Sequence, residues 1–125
     1  MTKRRVLVVD DEPDILRLWK LYLELEGWTV LTASRGEAAL EIAKKEQPEA
    51  IFLDYMMPGL DGPAVCRLLR VQSETANLPI ILFSAKVGNL RVSDFLAIGF
   101  TGVLPKRFST ERLVKDICEI LGWEE

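Results

Sequence analysis

The sequence predicts an open, doubly wound α/β fold, with a five-stranded parallel sheet in the order 2-1-3-4-5 and five helices covering its two faces. Three observations carry the doubly wound parallel sheet, and the order is taken as one common to such sheets. Short runs rich in β-branched and apolar residues alternate five times with longer stretches of helical apolar periodicity. The short runs are apolar nearly throughout, as strands covered on both faces have to be, and parallel strands need crossovers that place helices there. The chain has 125 residues, roughly half of what a closed (β/α)₈ barrel requires.

The first strand is read at residues 5–9 (RVLVV). Pro13 suits the first turn of the helix that follows, where its missing N–H costs nothing. That helix is expected to run to about residue 26, with Ile15, Leu18, Trp19, Tyr22 and Leu25 at helical spacing and Gly27 just past its end. Leu16, Leu21 and Leu23 add apolar surface beyond that stripe. Residues 28–32 form the second strand. Ser34 and Glu37 have the spacing of a capping box for a second helix carrying Ala38, Ala39, Leu40, Ile42 and Ala43, and Pro48 lies beyond its end.

The third strand, residues 50–54 (AIFLD), is apolar until its last residue, and a turn-rich loop (YMMPGLDG) occupies residues 55–62. Pro63 opens a third helix with Val65, Leu68 and Leu69 on one face. Residues 79–84 (PIILFS) are the fourth strand. The fourth helix, about residues 89–97, has a short apolar pattern and ends at Gly99. The fifth strand covers residues 100–104. Ser109 is placed as the N-cap of a last helix bearing Leu113, Val114, Ile117, Ile120 and Leu121, closed by Gly122.

This length suits one compact domain over residues 1–125, with no linker, repeat or low-complexity stretch. The formal net charge of −3 gives no electrostatic reason to expect a nucleic-acid partner, since clustered basic faces meet such partners. The one basic run, Lys3-Arg4-Arg5, reads as a solvated lead-in to the first strand. No apolar run approaches the roughly 18 residues that span a bilayer, and the N-terminus lacks the apolar stretch of a signal peptide. The expectation is a cytoplasmic chain without a membrane partner. Cys66 and Cys118 lie in helical apolar patterns with no CxxC motif, and the sequence has no histidine. No zinc site is expected, Ser/His and Cys/His catalysis is excluded, and the two thiols are read as core residues.

Ligands of an open α/β sheet bind beyond the C-terminal ends of the strands, where the strand order reverses. The polar residues that interrupt the apolar pattern fall at those ends: Asp10 and Asp11 after strand one, Asp54 at the end of strand three, Ser84 at the end of strand four and Lys106 after strand five. Strands one and three are neighbours in this order, so three carboxylates crowd one cleft. Close, desolvated carboxylates repel one another and need a cation. Oxygen-only donors favour a hard ion such as Mg²⁺, which keeps several waters and leaves positions open to a phosphate oxygen. Lys106 supplies positive charge and Ser84 a hydroxyl for the same anion. Asp54 is the natural phosphoryl acceptor, because a carboxylate can act as a nucleophile and form an aspartyl phosphate.

With these segments in place (VLVVDDEP, IFLDYMMPGLDG, PIILFSA and LPKRF), the chain closely resembles the receiver domain of two-component response regulators, a flavodoxin-like fold, over essentially its whole length. The resemblance implies that Asp11 coordinates Mg²⁺ directly, Asp10 acts mostly through a metal-bound water, and Asp54 shares its oxygens between metal and phosphorus. Met56 would add its backbone carbonyl to the metal. Ser84, Lys106 and the N–H of Ala85 would hold the phosphoryl oxygens. The implied donor is a phosphohistidine on a sensor histidine kinase or phosphotransfer protein. The implied output is a change in the face built by helix four, strand five and helix five, read by a downstream effector protein.

Two positions depart from the family pattern. Receivers usually carry Tyr or Phe three residues before the lysine, where this chain has Val103, and proline after it, where this chain has Arg107. A trans bond or a local rearrangement is expected at Arg107, because a cis bond before a non-proline residue costs about 2.5–4 kcal/mol. Two alternatives stand beside the phosphoacceptor switch: a pseudo-receiver that binds without phosphorylation, and a small aspartyl-phosphate phosphatase, which Asp10-x-Glu12 faintly matches. No GxxxxGK[ST] or GxGxxG motif supports nucleotide hydrolysis.

Overall fold

A computed structural model of the chain describes residues 3–84, 91–106 and 109–124. Strands and helices alternate through them: β1 (Arg5–Val9), α1 (Pro13–Leu25), β2 (Thr29–Ala33), α2 (Gly36–Glu46), β3 (Ala50–Asp54), α3 (Gly62–Arg70), β4 (Ile80–Ser84), α4 (Val92–Ile98), β5 (Gly102–Pro105) and α5 (Leu113–Leu121). The five strands form one parallel sheet in the order β2-β1-β3-β4-β5, as the sequence predicts.

Strand alternation divides the core into two layers. Val6, Val8, Phe52, Ile81, Phe83 and Leu104 face α1 and α5, where they meet Trp19, Leu23, Leu113 and Ile117. Leu7, Val9, Ile51, Leu53, Ile80 and Leu82 face the other side, toward Ala39, Ala43, Val65, Leu69 and Phe95. The Trp19 ring stacks on Phe52 at 5.1 Å and tilts over Phe83 at 4.9 Å, which binds α1 to β3 and β4. Burying side chains of this size contributes about 1.5–3 kcal/mol each. Both cysteines are buried and neither is in a disulfide, as expected.

The buried face of α1 differs from the expected stripe. Trp19 and Leu23 are fully buried and Ile15, Leu16 and Tyr22 partly so, while Leu18, Leu21 and Leu25 are exposed. The i, i+4 spacing of Trp19 and Leu23 sets this face, and their rings and branches fill the layer that Leu18 and Leu25 were expected to share. Gly27, at φ +86°, ends α1: its N–H donates to the Glu24 carbonyl and that of Trp28 to the Leu23 carbonyl, a Schellman closure that needs a left-handed residue.

Two expected caps are corrected. Helix α2 begins after an extended Arg35 that makes no side-chain cap bond, so Ser34 and Glu37 do not form a capping box. Ser109 does not cap α5. Its carbonyl accepts the Arg112 N–H in a preceding turn, and α5 starts only at Leu113. The basic lead-in is exposed at Lys3 and Arg5, as expected, and two of its residues form surface ion pairs. Arg4 pairs with Glu49 and lies 4.3 Å from the centroid of the Trp123 ring, and Arg5 pairs with Glu46. Among the described residues, no helix is long and apolar enough to cross a membrane.

Candidate functional site

The strands end so that four predicted side chains lie at the C-terminal end of the sheet. Asp10 follows β1, and its N–H donates to the Ala33 carbonyl at the end of β2. Asp54 and Ser84 are the last residues of β3 and β4. Lys106 follows β5, and its N–H donates to the Ser84 carbonyl at 2.8 Å. Asp10, Asp54 and Ser84 are all buried, and the two acids among them call for a compensating charge.

Lys106 supplies that charge. Its Nζ lies 3.2 Å from Asp54 Oδ2, 3.5 Å from Asp10 Oδ2 and 3.1 Å from Glu12 Oε1. Burial works against the ammonium, but the Glu12 bond and the charges of Asp54 and Asp10 outweigh it and hold Lys106 above its ordinary pKa. Burial also dominates at Asp10, pushing its carboxyl up to about 7. The Glu12 N–H bond to Oδ1 (2.9 Å) opposes that rise, and the Asp54 charge adds to it. Burial raises Asp54 too, with Lys106 pulling the other way. Two buried carboxyls beside each other therefore resist ionising together.

The loop after β3 shapes the rest of the cleft. The Tyr55 N–H donates to the Phe83 carbonyl and the Gly62 N–H to the Tyr55 carbonyl, which folds residues 55–62 back over the end of β3. A Cβ at Gly62 would lie 2.5 Å from the Asp54 carbonyl oxygen, so only glycine allows this return. Asp61 caps α3 by accepting the Ala64 N–H at 2.9 Å. The Met56 side chain points to solvent, whereas that of Met57 is buried in the core. Tyr55 packs edge-on against Phe95 of α4 at 5.7 Å.

A hard cation fits the donors present. Carboxylate oxygens of Asp10, Asp11 and Glu12 all lie within 4.8 Å of one another. Asp10 Oδ2 is buried, faces the Lys106 ammonium at 3.5 Å and accepts no hydrogen bond from the described residues, so it can still take a metal ion as a partner. All the donors are oxygens, as Mg²⁺ prefers.

A family model described as the response regulator receiver domain matches residues 6–118. The chain belongs to the response regulator receiver domain family. It is 42% identical over 121 residues to the probable transcriptional regulator ycf27 of Porphyra purpurea, an alignment covering 95% of this chain and 48% of that protein. The receiver thus spans about half the length of the curated relatives it matches. Its fold matches that of the Vibrio cholerae chemotaxis protein CheY4 with a TM-score of 0.88 at 30% identity, over 95% of this chain and 99% of that one. It also matches the receiver domain of the Pseudomonas aeruginosa sensor histidine kinase PA1611 with a TM-score of 0.86 at 26% identity, over 97% of this chain and 99% of that one. That neighbour was solved with a magnesium ion coordinated in its active site cleft. A receiver is a signalling domain rather than a conventional enzyme.

The structure brings Asp10, Asp54 and Lys106 into contact range, with Asp11 exposed beside them and Ser84 at the adjoining strand end. Val103 is half-buried on β5, opposite Leu82, and packs with the layer that contains Phe95 and Phe100. Ala85 and Arg107 lie outside the described residues. The sequence singled out Glu12 only for the phosphatase alternative, not as a partner of Lys106. Its position directly after the acidic pair was the available signal, but its contact with Lys106 joins residues 94 apart in the chain.

Proposed function

We propose that residues 1–125 form one receiver domain that acts as a phosphoacceptor switch in a two-component or phosphorelay pathway. An Asp54 carboxylate oxygen attacks phosphorus, an O–P bond forms, and the bond from phosphorus to the donor's histidine nitrogen breaks. The donor is a sensor histidine kinase or a histidine phosphotransfer protein. The observation that carries this reading is the Lys106 ammonium 3.2 Å from a buried Asp54, a pairing that leaves a nucleophile beside a fixed positive charge.

Asp11, Asp10, Asp54 and the Met56 carbonyl would hold Mg²⁺, which supplies charge neutralisation for the transferred phosphoryl group. The exposed Met56 side chain supports a role through its backbone alone. Ser84 and Lys106, joined through the bond between their backbones, and the N–H of Ala85 would receive the phosphoryl oxygens. The only catalysis assigned to the chain is its own phosphorylation and dephosphorylation.

The output is protein–protein contact through the face of α4, β5 and α5, read by an effector protein in the cytoplasm. Val103 and Arg107 make this output route differ from one built on an aromatic ring and a proline. Incubation with Mg²⁺ and acetyl phosphate, followed by intact mass measurement, tests the reading. A base-labile adduct of one phosphoryl mass is expected on the wild-type chain and not on Asp54→Asn. No adduct on wild type, or an equal adduct on the variant, contradicts it.

A further inference from the structure

The three carboxylates around Lys106 differ in kind. Asp54 and Asp10 are buried groups at strand ends and are fixed by the sheet. Glu12 precedes α1, its side chain is 58% exposed, and it makes no side-chain cap bond to the helix. Among the described residues its one ion pair is with Lys106, at 3.1 Å. A long, solvated side chain loses rotamer freedom when held in one place. The Lys106 contact is what offsets that loss here.

The Lys106 side chain is 14% exposed, so its ammonium sits between the interior and the surface. Asp54 draws it inward and Glu12 outward. A phosphoryl group on Asp54 adds negative charge on the inner side, and the ammonium then turns toward the new oxygens. The outer contact opposes that turn.

We propose that Glu12 is a positioning residue that holds Lys106 across the mouth of the Asp54 cleft in the unmodified protein and thereby slows arrival of the phosphoryl group. The inference rests on Asp54 being the phosphoacceptor. Glu12 acts in two ways: it shares the lysine charge that an incoming phosphate uses, and it places its own negative charge at the opening an anionic donor crosses. It belongs to the acidic cluster by position, but its close partner is the lysine.

The test compares wild type, Glu12→Gln and Asp14→Asn by the rate of adduct formation from acetyl phosphate with Mg²⁺. Asp14 is an exposed acid in the first turn of the same helix that pairs with Arg17, so its variant removes the same charge without touching Lys106. Glu12→Gln is expected to be roughly two- to fivefold faster, the size of one partly exposed ion pair, with the gain shrinking at high salt. Asp14→Asn is expected to match wild type. Mg²⁺ affinity should stay within about threefold, and the Lys106 ε-methylene NMR signals should move in Glu12→Gln alone.

An unchanged or slower Glu12→Gln, or an equal gain in Asp14→Asn, overturns the proposal. A tenfold loss of Mg²⁺ affinity in Glu12→Gln also overturns it by placing Glu12 on the metal. If wild type forms no adduct, the phosphoacceptor reading has failed, and the Lys106 signals still decide whether Glu12 holds the lysine.

Discussion

The Lys106 N–H donates to the Ser84 carbonyl at 2.8 Å, so the ends of β4 and β5 are fastened where each carries a polar side chain. From that anchor the lysine reaches back over β4 to Asp54 at the end of β3 and to Asp10 beyond β1. Parallel strands in this order bring together five predicted residues scattered over nearly 100 positions of the sequence.

Removing that reach should expose the cost of the buried acids. Lys106→Met is expected to lower the stability of the metal-free protein by about 3 kcal/mol, because two buried carboxyls lose their counterion. The same variant should slow adduct formation by on the order of 10²-fold, the usual loss when one donor to developing charge is removed. Urea unfolding and adduct kinetics measure the two effects separately.

Taking away a carboxylate should have the opposite effect on folding. Asp10→Asn keeps an oxygen to accept the Glu12 N–H and removes a buried charge beside Asp54. Its metal-free stability is expected to rise by ~1–3 kcal/mol, while stabilisation by added Mg²⁺ is lost. Thermal unfolding with EDTA and with excess Mg²⁺ checks both halves.

The raised Asp10 carboxyl also sets a sign for pH. Its value of about 7 in the folded chain stands above the ordinary aspartate value of 3.8, so between these the metal-free fold holds a proton that the unfolded chain has released. Stability therefore falls as pH rises through this window, by at most about 1.4 kcal/mol per unit for one proton. Unfolding at pH 5 and pH 8 in EDTA should show the loss in wild type and a much flatter profile in Asp10→Asn.

Gly62→Ala tests the loop that returns over Asp54. The added methyl group would meet a backbone oxygen at 2.5 Å, a contact relieved only by moving the loop or the strand end. A loss of about 2–3 kcal/mol is expected, together with slower adduct formation, as overpacking against backbone displaces the acceptor. Denaturant titration and the same kinetic assay would register these changes.

The fold was legible because its strands are apolar through to their ends, which leaves little choice but a sheet covered on both faces. The positions of Asp10, Asp54, Ser84 and Lys106 followed from where that pattern breaks. Helix starts were less legible. Ser34 and Ser109 have the right side chains for caps, yet tertiary packing of Gly36 against Leu60 and Val65, and of Leu113 in the core, starts each helix later. The α1 stripe shifted because every leucine along it could serve, and only the Trp19 contact with Phe52 and Phe83 decides among them. Glu12 was hidden for a different reason: its partner Lys106 lies at the far end of the chain.

The most direct test of the central claim locates the phosphoryl group. After phosphorylation by acetyl phosphate and Mg²⁺, borohydride reduction converts an aspartyl phosphate to homoserine, and peptide mass spectrometry reads its position. Homoserine is expected at position 54 and at no other aspartate. Homoserine elsewhere, or an unmodified Asp54 in every peptide, would contradict it.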